Sequence, residues 1–283
     1  MSTLITGAGG QLGKALAAQL PDARLVTSAE LDITDRTALD AFDWTGITAI
    51  INAAAWTAVD RAEEAESTLS AWDVNASGVA NLAWHARRLG VPLVHVSTDY
   101  VFEGSTSGLL PIGSEVHPQG VYGITKAAGE LAARLAPSYY VVRTSWVFGD
   151  GPNFVRTMLR LAKDRDELTV VDDQYGRPTY TVDLAAALIA LLHSDAPSGT
   201  YHATGSGDVV SWADFASAIL EGSSCKVRPI SSEEYAQGRP SVAPRPANSA
   251  LDLFGLEVVG ITMRDWRLAL ADYLRLEPRQ DDV

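Results

Sequence analysis

Short apolar runs alternate with helix-period segments through the first half of the chain. The runs are Leu4-Ile5, Leu25-Val26, Ala49-Ile50-Ile51, Leu93-Val94-His95-Val96 and Tyr139-Tyr140-Val141-Val142. Each is brief, apolar at successive positions and followed by small or polar residues, as in a parallel strand buried on both faces. Between them, Leu12–Leu20, Arg36–Phe42, Ala76–Leu89 and Ala127–Leu135 carry apolar residues at helical spacing. This alternation predicts crossover units and an α/β fold with a doubly wound parallel sheet.

Past residue 150 the rhythm loosens. Phe154–Lys163 and Asp183–His193 read as helices, the second with Asp183 as its N-cap, and Arg264–Leu276 reads as an amphipathic helix before a frayed end at Glu277–Val283. Residues 222–249 hold Pro229, Pro240, Pro244 and Pro246 and read as an irregular loop, a type of segment that is usually functional or disordered. The pattern predicts a dinucleotide-binding domain over residues 1–148. Residues 149–283 then form a smaller, mainly substrate-binding C-terminal lobe, with some elements returning to the sheet.

Composition narrows the partners. The 283 residues include 22 basic and 35 acidic side chains, a net charge of −13, which argues against a broad surface for nucleic acid or anionic membrane. A local pocket for a small anion remains compatible with that charge. Cys225 is the single cysteine, so no intramolecular disulfide forms and a reducing compartment is expected. The first residues lack a basic signal-peptide region, and no run approaches the roughly 20 apolar residues of a membrane span, so a cytoplasmic location is expected. His85, His95, His117, His193 and His202 include no pair at metal-ligand spacing; His95, inside a strand, reads as a satisfied core residue. The acidic run Asp60–Glu66 reads as a solvated helix face.

The first strand runs straight into Thr6-Gly7-Ala8-Gly9-Gly10-Gln11-Leu12-Gly13, with Gly7, Gly10 and Gly13 at three-residue spacing. Glycine permits a tight turn and close backbone approach, and the helix that follows offers free N–H groups to a pyrophosphate. A purely structural glycine turn is the competing reading. Thr27-Ser28 ends the second strand with neither an acid for an NAD ribose nor an arginine for the 2′-phosphate of NADP. Asp32 comes later and suits an adenine-edge contact.

Tyr122 and Lys126 stand four residues apart, so on a helix their heads share a face. A free phenol titrates at about 10, and a neighbouring cation favours phenolate, which makes Tyr122 a proton donor to a carbonyl receiving hydride. Thr98 ends the fourth strand, where its hydroxyl can bond the same carbonyl oxygen. Ala53, Ala54 and Ala55 follow the third strand and let a flat cofactor lie against the backbone.

The segments TGAGGQLG, ELDITD, NAAAWTAVDRAE, VSTDYVFEG, VYGITKAAGE, RTSWVFG, NFVRTMLRLA, DDQYGRPT and RPANS extend the argument over nearly the whole chain. Together they resemble the dTDP-4-dehydrorhamnose reductase family of extended short-chain dehydrogenase/reductases, which are Rossmann-like. The resemblance implies hydride transfer from NADPH, with NADH as the alternative, to C4 of a dTDP-4-dehydro-6-deoxy-L-sugar, the last step of dTDP-L-rhamnose synthesis. It makes Tyr122 the proton donor, Lys126 the group that holds the nicotinamide ribose, and Thr98 the group that orients the keto oxygen. It places Asp99 and Trp146 against the sugar, and Gly10, Gln11, Leu12, Asp32, Ile33, Ala55, Trp56 and Thr57 against the cofactor. Arg245 is chosen on chemistry instead: a guanidinium in the irregular segment suits the substrate diphosphate.

Three rival functions follow from the same resemblance. Sugar-nucleotide 4,6-dehydratases carry a second carboxylate after the strand-tip Thr-Asp, where this chain has Tyr100. A reductase of another nucleotide-activated 4-keto-deoxysugar fits the same residues. A non-catalytic subunit similar to the regulator of methionine adenosyltransferase is the third, against which the intact Thr98, Tyr122 and Lys126 set weighs. Some members of the resembled family dimerise around magnesium held by carboxylates, one of them two residues after the last glycine of the turn. Here that position is Ala15, preceded by Lys14, which argues against magnesium and favours a monomer or a metal-independent dimer. Adding magnesium is therefore expected to leave the molar mass in light scattering unchanged.

Overall fold

A computed structural model describes residues 2–237 and 243–277. Its centre is a six-stranded sheet in which every paired neighbour is parallel. Five strands are β1 (Ser2–Thr6), β2 (Arg24–Val26), β3 (Ile47–Asn52), β4 (Pro92–Thr98) and β5 (Ser138–Thr144); Gly199–His202 adds to β5 as the outer strand. Between β2 and β3 the chain crosses over β1, so the crevice at the C-terminal ends of β1 and β3 is the topological switch point where ligands bind in such sheets.

The two-sided strands were legible because successive residues point to opposite faces. Leu4, Ile50, Leu93 and Val141 enter one buried cluster with Leu82 and Ala86, while Ile5, Ile51, Val94 and Val142 enter another with Leu16, Leu184 and Leu188. A third cluster, around Phe148, Phe215, Trp266 and Tyr273, belongs to the part of the chain after β5. Thr181–Leu192 packs beside α1 (Gln11–Gln19) on the sheet, so the later part contributes both a strand and a helix to the first.

Four local expectations change. Residues 222–249 are not one irregular loop: Lys226–Ile230 forms a strand parallel to Glu167–Val171, and Ser232–Ala236 a short helix capped by Ser231. Within that stretch, Pro240 lies outside the described residues. Asp183 sits in the first turn of its helix rather than at the N-cap, since the helix begins at Thr181 after Tyr180, and its carboxylate pairs with Arg264 at 3.1 Å. The segment before Leu89 starts earlier than its periodicity suggests, at Ala65, and passes through a π-helical turn at Asp73–Ser77. Glu277 is anchored by Arg156 at 2.7 Å, while residues 278–283 lie outside the described residues. Among the described residues, no helix is long and apolar enough to cross a membrane.

One joint fixes the helix Val121–Ala133 to the sheet. Glu130 on that helix takes Arg143 of β5 in a two-pronged grip, Nε at 2.8 Å and Nη2 at 2.7 Å, and accepts from the Ser97 hydroxyl of β4 at 2.6 Å. Both charged side chains are 3% exposed, so removing one strands the other in a dry interior. Glu130→Ala is expected to cost about 3–5 kcal/mol in urea unfolding, the penalty of an uncompensated buried charge.

Candidate active site

The switch-point crevice is a cleft of about 920 Å³. Every residue the sequence assigned to catalysis, cofactor or substrate lines it: Gly7, Gly10, Gln11, Leu12, Gly13, Asp32, Ile33, Ala53, Ala54, Ala55, Trp56, Thr57, Thr98, Asp99, Tyr122, Lys126, Trp146 and Arg245.

At one end the glycine turn is packed backbone to backbone. Gly7 adopts φ +71°, and a Cβ there would collide with the Ala53–Ala54 backbone; a Cβ on Gly13 would collide with the Gly7 carbonyl. Gly10 caps α1 with no side-chain bond to its first N–H groups, so those donors face the cleft unclaimed by a cap. Gln11 donates to the Pro152 carbonyl at 3.0 Å, yet its buried Oε1 has no partner among the described residues. A turn with no room for side chains, followed by free helix amides, fits a dinucleotide's pyrophosphate.

The strand tips are tied beneath the cleft. The Asn52 Oδ1 accepts from the Thr6 hydroxyl at 2.7 Å and the Ala54 amide at 3.1 Å, and its Nδ2 lies 3.1 Å from His95 Nδ1. His95 is thus only half satisfied, contrary to the sequence reading, since Nε2 is buried without a partner. Burial, with Lys126 adding to it, holds the ring well below its usual pKa and therefore neutral. Asn75, in the π-helical turn, was missed altogether. Its Oδ1 accepts from the Trp56 amide at 2.9 Å, and its Nδ2 donates to the Trp56 carbonyl at 3.2 Å and Thr125 Oγ1 at 3.1 Å. A widened helical turn at a functional site is a recurring arrangement, and no apolar periodicity announces one.

At the centre, Thr98 donates to Asp99 Oδ1 at 2.9 Å and accepts from the Tyr100 amide at 3.2 Å. The Ser249 hydroxyl, brought from the far end of the chain, donates to Asp99 Oδ2. Tyr122 stands edge-on to Tyr100, ring centres 5.4 Å apart. Lys126 is 2% exposed, and its Nζ donates to the Val96 carbonyl at 2.6 Å. Burial pulls Lys126 down to about 8, partly offset by Glu130. Tyr122 moves the opposite way from the sequence expectation. Burial of its hydroxyl pushes it up to about 12, Asp99 adds to the rise, and only the Thr98 hydroxyl opposes it.

Trp146 is the one described non-glycine residue with positive φ, at 50°, a conformation costing about 1–3 kcal/mol. Its ring stacks on Trp212 at 3.8 Å, and a Cβ on Gly176 would crowd its other edge at 2.8 Å. It lines the cleft while packing against the third core cluster. Trp212, Gln174 and Ser249 also line the cleft; Gln174 and Ser249 lie in the segments DDQYGRPT and RPANS without an assigned role, and Trp212 was not singled out in the sequence.

Arg245 does reach the cleft, but its guanidinium grips Asp60, with Nη2 at 3.0 Å and 2.9 Å from the two carboxylate oxygens. Asp60 also accepts from the Ala243 amide at 3.0 Å, and Glu63 accepts from the Val121 amide at 2.7 Å, at the start of the Tyr122 helix. The acidic run is therefore partly structural, not simply a solvated face.

Burial pushes Asp99 up to about 6, against the hydrogen bonds from Ser249 and Thr98. A raised carboxyl pKa means the folded state holds the proton more tightly than the unfolded chain, so stability is lost as pH rises from about 4 through about 6. The melting temperature of Asp99→Asn relative to wild type is expected to increase between pH 4 and pH 7.

A sequence model described as the RmlD substrate binding domain matches residues 1–277. The chain is 44% identical to a dTDP-4-dehydrorhamnose reductase of Aggregatibacter actinomycetemcomitans, over 94% of this chain and 96% of that protein. Among solved structures, a dTDP-4-dehydrorhamnose reductase from Clostridium acetobutylicum aligns with a TM-score of 0.89 and 42% identity, covering 98% of this chain and 99% of that one. A dTDP-4-dehydrorhamnose reductase from Bacillus anthracis in complex with NADP aligns with a TM-score of 0.88 and 36% identity, covering 97% and 99%. On family model, identity and fold over nearly its full length, the chain belongs to the RmlD substrate binding domain family.

Proposed function

We propose that the chain reduces the C4 keto group of dTDP-4-dehydro-6-deoxy-L-mannose to give dTDP-L-rhamnose, using NADPH or NADH. The observation that carries this reading is the convergence of Thr98, Tyr122 and Lys126 with the glycine turn on one cleft. The dinucleotide, when bound, supplies the hydride.

Tyr122 gives its proton to the keto oxygen as negative charge develops there. A phenol raised to about 12 is fully protonated at neutral pH, the state that a proton donor in the reducing direction requires. Thr98 turns its hydroxyl from Asp99 toward the same oxygen and orients it. Lys126, with one N–H on Val96, keeps two donors for the nicotinamide ribose and places positive charge beside the developing oxyanion. Asp99 and Trp146 bound the sugar. Asp60 presents the Arg245 guanidinium for the diphosphate, which must share it or take it over.

In this reading residues 1–148 hold the dinucleotide and residues 149–283 mainly the sugar nucleotide. The chain acts in the cytoplasm, as a monomer or a metal-independent dimer. Lys14, beside the position where a metal-holding carboxylate would stand, pairs instead with Asp150 of the same chain at 2.9 Å.

With dTDP-4-dehydro-L-rhamnose, wild type is expected to consume reduced nicotinamide absorbance, and Tyr122→Phe to lose about 10²–10⁴-fold in rate. An unchanged rate overturns the role of Tyr122. Cofactor binding without turnover of any dTDP-4-keto sugar points instead to a regulatory subunit.

A further inference from the structure

Asp173, Gln174 and Tyr175 turn to alternate sides of their stretch of chain. Asp173 and Tyr175 line a second cavity of about 530 Å³, while Gln174, between them, lines the cleft. Gln174 is 8% exposed, and its amide is pinned from behind. The Ser232 hydroxyl donates its one proton to Asp173 Oδ1 at 2.5 Å, so its oxygen is left to accept, and Gln174 Nε2 donates to it at 2.8 Å. The Ser232 amide holds the serine in place, donating to the two Asp173 oxygens at 3.0 Å and 2.9 Å. This chain of bonds settles which way the amide faces. Oε1 has no partner among the described residues and is the acceptor left to the cleft.

The surroundings of Gln174 belong to the sugar end. The carbonyl of Tyr175, next in the chain, accepts from the Ser249 amide at 2.7 Å, and the Ser249 hydroxyl reaches Asp99. Gly176 lies so near Trp146 that a Cβ there would stand 2.8 Å from its ring. We propose that Gln174 is a specificity-determining residue whose Oε1 accepts a hydrogen bond from a ring hydroxyl of the hexose. A 4-keto-6-deoxy hexose linked through C1 keeps hydroxyls only at C2 and C3, so the bond inspects those positions and not the reacting carbon. A sugar without the matching hydroxyl strands a buried acceptor, which a pinned amide cannot turn away to relieve. The proposal rests on the nucleotide-sugar reading of the cleft and adds which part of the sugar this wall selects.

Titration calorimetry with dTDP and with dTDP-L-rhamnose, on protein saturated with oxidised NADP, tests it. Gln174→Leu is expected to bind dTDP-L-rhamnose about tenfold more weakly than wild type, and dTDP within about twofold. With analogues of dTDP-L-rhamnose lacking the 2- or the 3-hydroxyl, wild type and variant are expected to converge for one of the two. Equal weakening of dTDP and dTDP-L-rhamnose puts the contact on the nucleotide and overturns the proposal. Unchanged binding of dTDP-L-rhamnose overturns it too, as does the full difference persisting with both analogues. Ser232→Ala frees the amide to turn from outside the cleft, and is expected to weaken dTDP-L-rhamnose about threefold while sparing dTDP. That variant carries the test if Gln174→Leu does not fold, and equal affinities there overturn the proposal. If wild type binds neither nucleotide, the nucleotide-sugar reading fails and this proposal with it.

Discussion

Glu130 and Arg143 meet in the interior, and the positions of the groups proposed to react depend on that joint. Tyr122 and Lys126 ride on the helix that carries Glu130, while Thr98 ends the strand that carries Ser97. The carboxylate takes Arg143 and Ser97 together, so helix and two strands are fixed in one register by three hydrogen bonds at 2.6–2.8 Å. An apolar contact of equal area would tolerate sliding; a planar fork on a carboxylate does not. The desolvation this requires is offset by full pairing, and the return is position rather than bulk stability.

The second part of the chain completes the cleft from outside. Ser249 reaches Asp99, Trp212 backs Trp146, and Arg245 reaches Asp60. The first and last of these join a residue among the first 148 to one of the later lobe, while Trp212 and Trp146 pack together against the third core cluster. The cleft therefore acquires its shape only when both cores have formed, although the chain's net charge is −13. Anion binding in such a protein depends on a few placed donors and not on the overall field; in the proposed function these are the free helix amides, Lys126 and Arg245.

The parallel sheet, the glycine turn and the Tyr122–Lys126 pair were legible because each is a pattern within a few consecutive residues. Period-two and period-3.6 burial, a glycine spacing and an i, i+4 pair all survive reading along a line. What failed depends on separation. Ser249 lies 150 residues from Asp99 and Arg245 lies 185 from Asp60, and nothing local marks either partnership. The prolines of residues 222–249 suggested irregularity, but Pro229 sits in a two-stranded edge pairing. The direction of the Tyr122 shift was misjudged for a related reason. Sequence spacing shows the neighbouring cation but not the desolvation, and here desolvation dominates.

The π-helical turn at Asp73–Ser77 has a consequence for how this segment tolerates change. It accommodates one residue more than a regular ladder would over the same span, and Asn75 lies within the bulge. Deleting a single residue there would restore ordinary helical bonding. It would also rotate Ala65–Trp72 against Gly78–Leu89 by about 100° and swing the amide of Asn75 off Trp56 and Thr125. Side-chain identity on the exposed face of this helix is free to drift; its residue count is not. Length variation among relatives should accordingly be accommodated in the loops before Ala65 and after Leu89, with the stretch between them kept in step.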